Sequence, residues 1–127
     1  MRRNDWPAYV RSLLRIVAGL VFTTHGLQKL FGLFGGHIAR PMGSELWVAG
    51  LLESAGGTLI FLGLFTRPVA FLLCGEMAVA YFRVHFPRGF WPVSNGGEPA
   101  VLYCFLYLYL LAAGPGPISL DRWLRRK

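Results

Sequence analysis

The sequence predicts an all-α, polytopic membrane protein in which four transmembrane helices form an antiparallel bundle. The first observation behind this prediction is composition: of 127 residues, 54% are apolar and 15% are charged. A soluble domain carries about 25% charged residues, so this chain has too few charges to cover a folded surface. We therefore expect lipid to be its main solvent, and the length suits one domain over residues 1–127.

The second observation is a series of apolar runs separated by helix breakers. Crossing about 30 Å of hydrocarbon takes about 20 helical residues. The predicted spans run from about Leu13 to Phe34, Leu46 to Phe65, Val69 to Phe86, and Ala100 to Ala113. The fourth run is short, so we expect Glu98 and Pro99 to form its first turn, where proline is tolerated. Thr66-Arg67-Pro68 is predicted to be a tight turn that makes spans two and three a hairpin.

The third observation is that basic residues collect at the two ends of the chain. With an even number of spans, both ends lie on one side of the membrane. That side then holds nine basic residues, namely Arg2, Arg3, Arg11, Arg15, Arg67, Arg122, Arg125, Arg126 and Lys127, against Arg40 and Arg88 opposite. The positive-inside rule predicts that both termini are cytoplasmic. The net charge of +7 does not indicate nucleic acid, because it flanks the spans and forms no basic stripe with interleaved aromatics.

Several polar residues interrupt the predicted spans. An ionisable group in hydrocarbon costs from about 2.5 to over 10 kcal/mol, so such residues need partners, water or a function. In the predicted topology they converge on the outer half of the bilayer, where they form a candidate polar network or ligand-binding site. Its members are His25, Gln28, Lys29, Glu53, Glu76, Arg83, His85, Asn95 and Glu98.

We expect Glu53, Arg83 and His25 to face the bundle interior and to bond across helices, with Glu76 close by. Glycines near Glu53 are expected to let a neighbouring helix approach closely. Other interpretations stay open: Lys29 and Arg83 could reach the outer headgroups, both histidines could be satisfied core residues, and Glu76 could belong to a purely structural ion pair.

The two cysteines, Cys74 and Cys104, fall one each in two spans. They form no CxxC pair, and their spacing suits neither zinc nor haem attachment. We interpret them as small buried residues, and we expect neither a dithiol mechanism nor a metal site.

Long stretches of the chain resemble the DoxX/DoxD family of small four-helix bacterial membrane proteins. The resembling stretches are HGLQKLFG from His25, GLLESAGGTLIFLGLFTRP from Gly50, CGEMAVAYFRVHFPRGFWPVSNGGE from Cys74, and GPGPISLD from Gly114. The resemblance implies a location in the bacterial cytoplasmic (inner) membrane. It also suggests a role in quinone-coupled sulfur or thiol oxidation, in quinone detoxification, or in membrane redox complexes with soluble partners. Eukaryotic relatives act as assembly factors, so the fold does not fix the function.

Two functional hypotheses follow. In the first, the protein is a quinone- or quinol-interacting subunit of a redox system, with His25, Lys29, Arg83 and His85 as donors and the carboxyls of Glu53 and Glu76 as proton relays. Quinone is the candidate cofactor, and a membrane or soluble partner protein would supply electrons. The alternative is a non-catalytic scaffold, assembly factor or small-solute carrier. Whether the chain is an enzyme by itself, or a homo-oligomer, stays open.

The first hypothesis requires a cleft. We expect it in the outer half of the bundle, walled by spans one to three and capped by the connection from Phe86 to Glu98.

Overall fold

The computed structural model describes residues 5–125, and this part of the chain is helical without strands. Arg2, Arg3, Arg126 and Lys127, counted above for orientation, lie outside the described residues. The helices are α1 (Trp6–Phe31), α2 (Glu45–Leu62), α3 (Thr66–Ala80), α4 (Pro92–Asn95), α5 (Glu98–Ala113) and α6 (Leu120–Arg125). A π-helical turn (Tyr81–His85) and a 3-10 turn (Phe86–Arg88) extend α3. The all-α prediction is confirmed.

Three of the helical segments are long and apolar enough to cross a membrane. They are Trp6–Phe31, Glu45–Leu62 and Thr66–Arg88, with 26, 18 and 23 residues. The shorter apolar helix Glu98–Ala113 starts at Glu98 with Pro99 in its first turn, as the sequence predicts. These helices identify a helical membrane bundle whose outer surface contacts lipid.

Close packing of α1 on α2 depends on glycine. A Cβ on Gly19 would lie 2.5 Å from the backbone nitrogen of Phe61, and one on Gly26 would overlap Ser54. Small residues of this kind let two helix backbones approach, which is how helices associate in lipid. The close approach expected near Glu53 is therefore present, and its partner is α1.

The second pair of helices is α3 and α5, which contribute most of the apolar core, with Phe22 of α1 and Ile60 of α2. Ala70, Leu73 and Met77 of α3 pack in one cluster with Tyr107 and Leu110 of α5, all of them buried. The two helix pairs meet where α2 contacts α3.

The turn between α2 and α3 lies slightly earlier than predicted. α2 ends at Leu62, Gly63 adopts a left-handed conformation (φ 70°), and α3 begins at Thr66. Glycine suits such a C-terminal position. Arg67 and Pro68 fall inside the first turn of α3, where a missing N–H costs little. The expected hairpin is present, but its turn is Gly63–Phe65 rather than Thr66–Pro68.

Arg15, counted in the sequence among the basic residues of the cytoplasmic side, is buried inside the bundle. Its side chain is 1% exposed and donates to the carbonyl oxygens of Ile60 (2.8 Å), Ile118 (2.7 Å) and Pro115. Buried charge is tolerated when its hydrogen bonds are satisfied, and carbonyls near the C-terminus of α2 carry partial negative charge. Arg15 therefore attaches the segment after α5 to the start of α1 and the end of α2.

Both described ends of the chain consequently lie at one end of the bundle. Ser12 Oγ in α1 accepts the Ile118 N–H at 3.1 Å. We call this the terminal end, and the opposite end, which holds Phe31 and Glu45, the loop end. The common placement of the two described ends agrees with an even number of crossings, whereas the cytoplasmic location of the termini stays a prediction.

Candidate functional site

An ion pair between α1 and α2 lies toward the loop end of the bundle. Lys29 Nζ is 2.6 Å from Glu53 Oε2 and 2.8 Å from Oε1. The Glu53 side chain is 2% exposed, and that of Lys29 is 29% exposed. A Cβ on Gly50 would lie only 3.0 Å from Lys29 Cβ, so the glycine leaves room for the lysine to cross to α2. Glu53 thus bonds across helices as expected, and Lys29 is paired.

Glu76 of α3 lies beside this ion pair. It interacts electrostatically with both Glu53 and Lys29, so two carboxyl groups face one ammonium. Both carboxyl oxygens of Glu76 are buried and accept from no donor among the described residues, although the Glu53 carboxyl lies within hydrogen-bonding reach. A buried polar atom without a partner is costly, so Glu76 has unused capacity to bind a proton or a ligand.

Tyr103 and Tyr107 of α5 complete this group. Each interacts electrostatically with Glu53, and their rings stack with centroids 6.0 Å apart. Tyr107 is fully buried, and its hydroxyl has no hydrogen-bond partner within residues 5–125. We call Lys29, Glu53, Glu76, Tyr103 and Tyr107 the buried polar cluster. The polar residues predicted from the sequence did not include these two tyrosines, although their spacing of four places both on one helix face.

His25 and Gln28 do not extend the cluster in the expected way. His25 is exposed, and its ring meets that of Tyr103 edge-on at 6.2 Å. Gly26 takes the position that faces α2, so the preceding residue is turned away from the interface with α2. Gln28 Nε2 donates to the Phe34 carbonyl at 3.0 Å and closes the end of α1. The expectation that His25 bonds across helices from the interior is wrong.

Arg83 also departs from its expected position. It pairs with Glu45 at 2.9 Å, and both side chains are 65% exposed. A spacing of seven keeps Glu76 and Arg83 on one face of a regular α-helix. The π-helical turn Tyr81–His85 changes the number of residues per turn, which rotates Arg83 away from that face. Arg83 is therefore a surface residue at the loop end.

Asn95 forms a separate hydrogen-bonded group in the third connection. It is 2% exposed, donates from Nδ2 to the Gly89 carbonyl at 2.8 Å, and accepts the Gly97 N–H at 2.8 Å. His85 Nδ1 lies 3.2 Å from the Asn95 carbonyl oxygen. Tyr81 OH donates to the Phe90 carbonyl. These contacts fasten the connection to the end of α3.

Glu98 is exposed in the first turn of α5. A carboxylate there favours the positive end of the helix dipole. Of the nine predicted residues, Lys29, Glu53 and Glu76 belong to the buried polar cluster. Arg83 belongs to the exposed pair with Glu45, and His85 and Asn95 belong to the hydrogen-bonded group of the third connection. His25, Gln28 and Glu98 belong to none of these groups.

A cleft of about 360 Å³ lies between α3 and α5 toward the loop end. Phe90, Trp91 and Pro92 cover it, as expected for a cap by the third connection. Its walls are α3 and α5 and not the expected spans one to three, of which the first two pack closely through glycines. The lining is apolar and includes Met77, Phe82, Val101, Cys104 and Phe105.

Cys104 of this wall contacts Cys74 of α3. Cys74 Sγ and Cys104 Sγ are 3.7 Å apart, and both thiols are free. This contact was not predictable from the sequence, because residues that meet across two helices have no fixed spacing along the chain. Within residues 5–125, no three His, Cys, Asp or Glu side chains form a group that could hold a metal ion.

The fold and its buried charges define a small helical membrane protein. The sequence profile of the DoxX family matches residues 10–86, and the chain belongs to that family. No solved structure matches the chain.

Three relatives illustrate how the family is described. An uncharacterized protein of Haemophilus influenzae is 42% identical, with 98% of this chain and 97% of the relative covered. A Bacillus subtilis protein named "Putative oxidoreductase CatD" is 31% identical over 86% of this chain and 82% of its own length. The inner membrane protein YqjF of Escherichia coli is 30% identical over 89% of this chain and 90% of the relative.

Proposed function

We propose that this protein is a quinone- or quinol-interacting subunit of a membrane-associated redox system. The observation that carries the proposal is the apolar cleft between α3 and α5, which is capped by Phe90 and Trp91. Its volume of about 360 Å³ falls in the range of small-molecule sites, about 300–1,000 Å³. Aromatic walls suit the flat faces of a quinone ring, and a cleft at a lipid-facing seam can receive a ligand from the bilayer.

The neighbouring buried polar cluster offers the proton chemistry that a quinone needs. Reduction of a quinone to a quinol takes two electrons and two protons. Glu76 directly precedes the cleft residue Met77, and Tyr103 directly precedes Cys104, so α3 and α5 carry the cleft and three of the five cluster residues. The unpartnered oxygens of Glu76 and Tyr107 are suitable relay atoms. A partner protein, in the membrane or in solution, would exchange the electrons.

Binding can be tested on protein purified in mild detergent. We expect a co-purifying quinone in the organic extract. An added quinol analogue should raise the melting temperature, because a ligand at 100 times its Kd stabilises the folded protein by about 2.7 kcal/mol. Val101→Phe fills the cleft and should abolish the shift. Val17→Phe on the exposed face of α1 is the matched control and should retain it. Equal shifts in both variants would remove the cleft as the site.

A non-catalytic role as a scaffold, assembly factor or small-solute carrier is the second candidate. The observation that favours it is the exposed apolar surface of the third connection, where Phe90, Trp91 and Val93 are 62%, 68% and 77% exposed. Such patches often mark protein contacts. Co-purification of a membrane protein that is lost in Val93→Ser, with no quinone in the extract, would support this role. Cross-linking into dimers instead would indicate a homo-oligomer.

We further propose that the protein resides in the bacterial inner membrane with both termini in the cytoplasm. The name of the Escherichia coli relative supports the location, and the distribution of basic residues supports the orientation.

A further inference from the structure

Four arginine side chains line one pocket at the terminal end of the bundle. Arg11 comes from α1, Arg67 from the first turn of α3, and Arg122 and Arg125 from α6. The pocket has a volume of about 430 Å³, and the rest of its lining within residues 5–125 consists of small or apolar residues without a carboxylate. We call it the arginine pocket.

The acidic residue nearest in sequence to this pocket, Asp121, caps a helix. The Asp121 carboxylate accepts the backbone N–H groups of Phe65 (2.8 Å) and Thr66 (2.9 Å), and so caps the start of α3. Neither the Lys29–Glu53 nor the Glu45–Arg83 ion pair includes an arginine of the pocket. The pocket therefore presents four positive charges in one concave surface.

One of these guanidinium groups has a buried donor without an acceptor. Arg11 Nε has no hydrogen-bond partner among the described residues, although the atom is shielded from solvent. An unsatisfied buried donor of a charged group is costly. A phosphate group would satisfy it, because guanidinium and phosphate form paired, charge-assisted hydrogen bonds.

The fold holds the segments around the arginine pocket in place. Arg15 and Ser12 bind the carbonyl of Pro115, which forms part of the pocket wall. Gly114 (φ 83°) leaves space for Arg67, whose Nη2 would lie 3.1 Å from a Cβ at that position. Four chain segments are thus positioned to contact a single ligand.

We propose that the arginine pocket binds a phosphate-bearing anion, and that this anion is the headgroup of an anionic lipid. The pocket lies at an end of the bundle, where the helices leave the hydrocarbon, and phosphates of anionic lipids are concentrated at that depth. Ile118 and Leu124 are 54% and 49% exposed near the same end and offer apolar surface for acyl chains. Inorganic phosphate has the same headgroup chemistry without acyl chains.

The test uses the full chain in a non-ionic detergent, with lipid binding followed by native mass spectrometry and by melting temperature. Phosphatidylglycerol should bind and raise the melting temperature, whereas phosphatidylcholine at the same concentration should not. Arg67→Gln and Arg122→Gln should each weaken phosphatidylglycerol binding roughly fivefold. Arg88→Gln removes the same charge at the loop end and should leave binding unchanged.

Three results would overturn the proposal in different ways. Equal weakening by Arg88→Gln would show that net charge, and not the pocket, governs binding. Stabilisation by inorganic phosphate as strong as that by phosphatidylglycerol would support the phosphate chemistry but reject the lipid source. No binding of either compound to the wild type would reject the site. Arg122→Lys checks the geometry, because it keeps the charge, loses the paired hydrogen bonds and should bind less tightly than wild type.

Discussion

The strongest test of the buried polar cluster is to remove the lysine of its ion pair. In Lys29→Met, the Glu53 carboxylate loses the partner that contacts both its oxygens at 2.6 and 2.8 Å, while its side chain is 2% exposed. Breaking one side of a buried pair costs about 3–5 kcal/mol. Lys29 is 29% exposed, so water reaches the pair, and we expect a loss near the lower limit, about 3 kcal/mol.

The reverse substitution should cost less. In Glu53→Gln, the partly exposed lysine keeps access to water and can turn to Glu76, whose oxygens lack partners and which already interacts with it. We expect a loss of about 1.5–2 kcal/mol, at the lower end of the range for a hydrogen bond to a charged group. The free energy of unfolding can be measured by reversible denaturation in mixed micelles of mild detergent and dodecyl sulfate, followed by circular dichroism.

The Glu45–Arg83 pair provides the matched control. Both of its side chains are 65% exposed, so Arg83→Met should change the unfolding free energy by less than about 1 kcal/mol. A cost for Lys29→Met no larger than that of the control would refute the argument from burial. A cost for Glu53→Gln above that of Lys29→Met would show that Glu76 does not serve as a substitute partner.

Three further predictions follow from the structure. Arg15→Leu should lower the unfolding free energy by about 3 kcal/mol. Arg15→Lys should not restore stability, because an ammonium cannot reach the same set of carbonyls. Full stability of either variant would contradict this prediction. In a background without native cysteines, an impermeant maleimide added to intact cells should label Val93→Cys but not Leu124→Cys, and equal labelling would reject the proposed topology. Mild oxidation with copper phenanthroline should protect Cys74 and Cys104 together from alkylation, and two thiols that remain reactive would show that α3 and α5 do not meet in this register.

The buried polar cluster was only partly predictable. The sequence identified Lys29, Glu53 and Glu76, because a charged residue within an apolar run can be recognised without knowing which way the helix faces. It misplaced Arg83, because a π-helical turn changes the helical phase in a way that spacing does not reveal. It counted Arg15 only among the basic residues of the cytoplasmic side, because the four carbonyl acceptors of its buried side chain come from segments distant in sequence.

The sequence by itself determined the helical class, the approximate spans and the common side of the two termini. These features are local: hydrocarbon requires a run of apolar residues long enough to cross it, with every backbone hydrogen bond made inside the helix. Only the tertiary structure decided which helix faces meet, and with them the position of the cleft, the Cys74–Cys104 contact and the arginine pocket. In lipid, an apolar side chain is equally acceptable on the inner and outer faces of a helix, so hydropathy does not distinguish the two faces. Close packing at residues such as Gly19 and Gly26 selects the faces that meet.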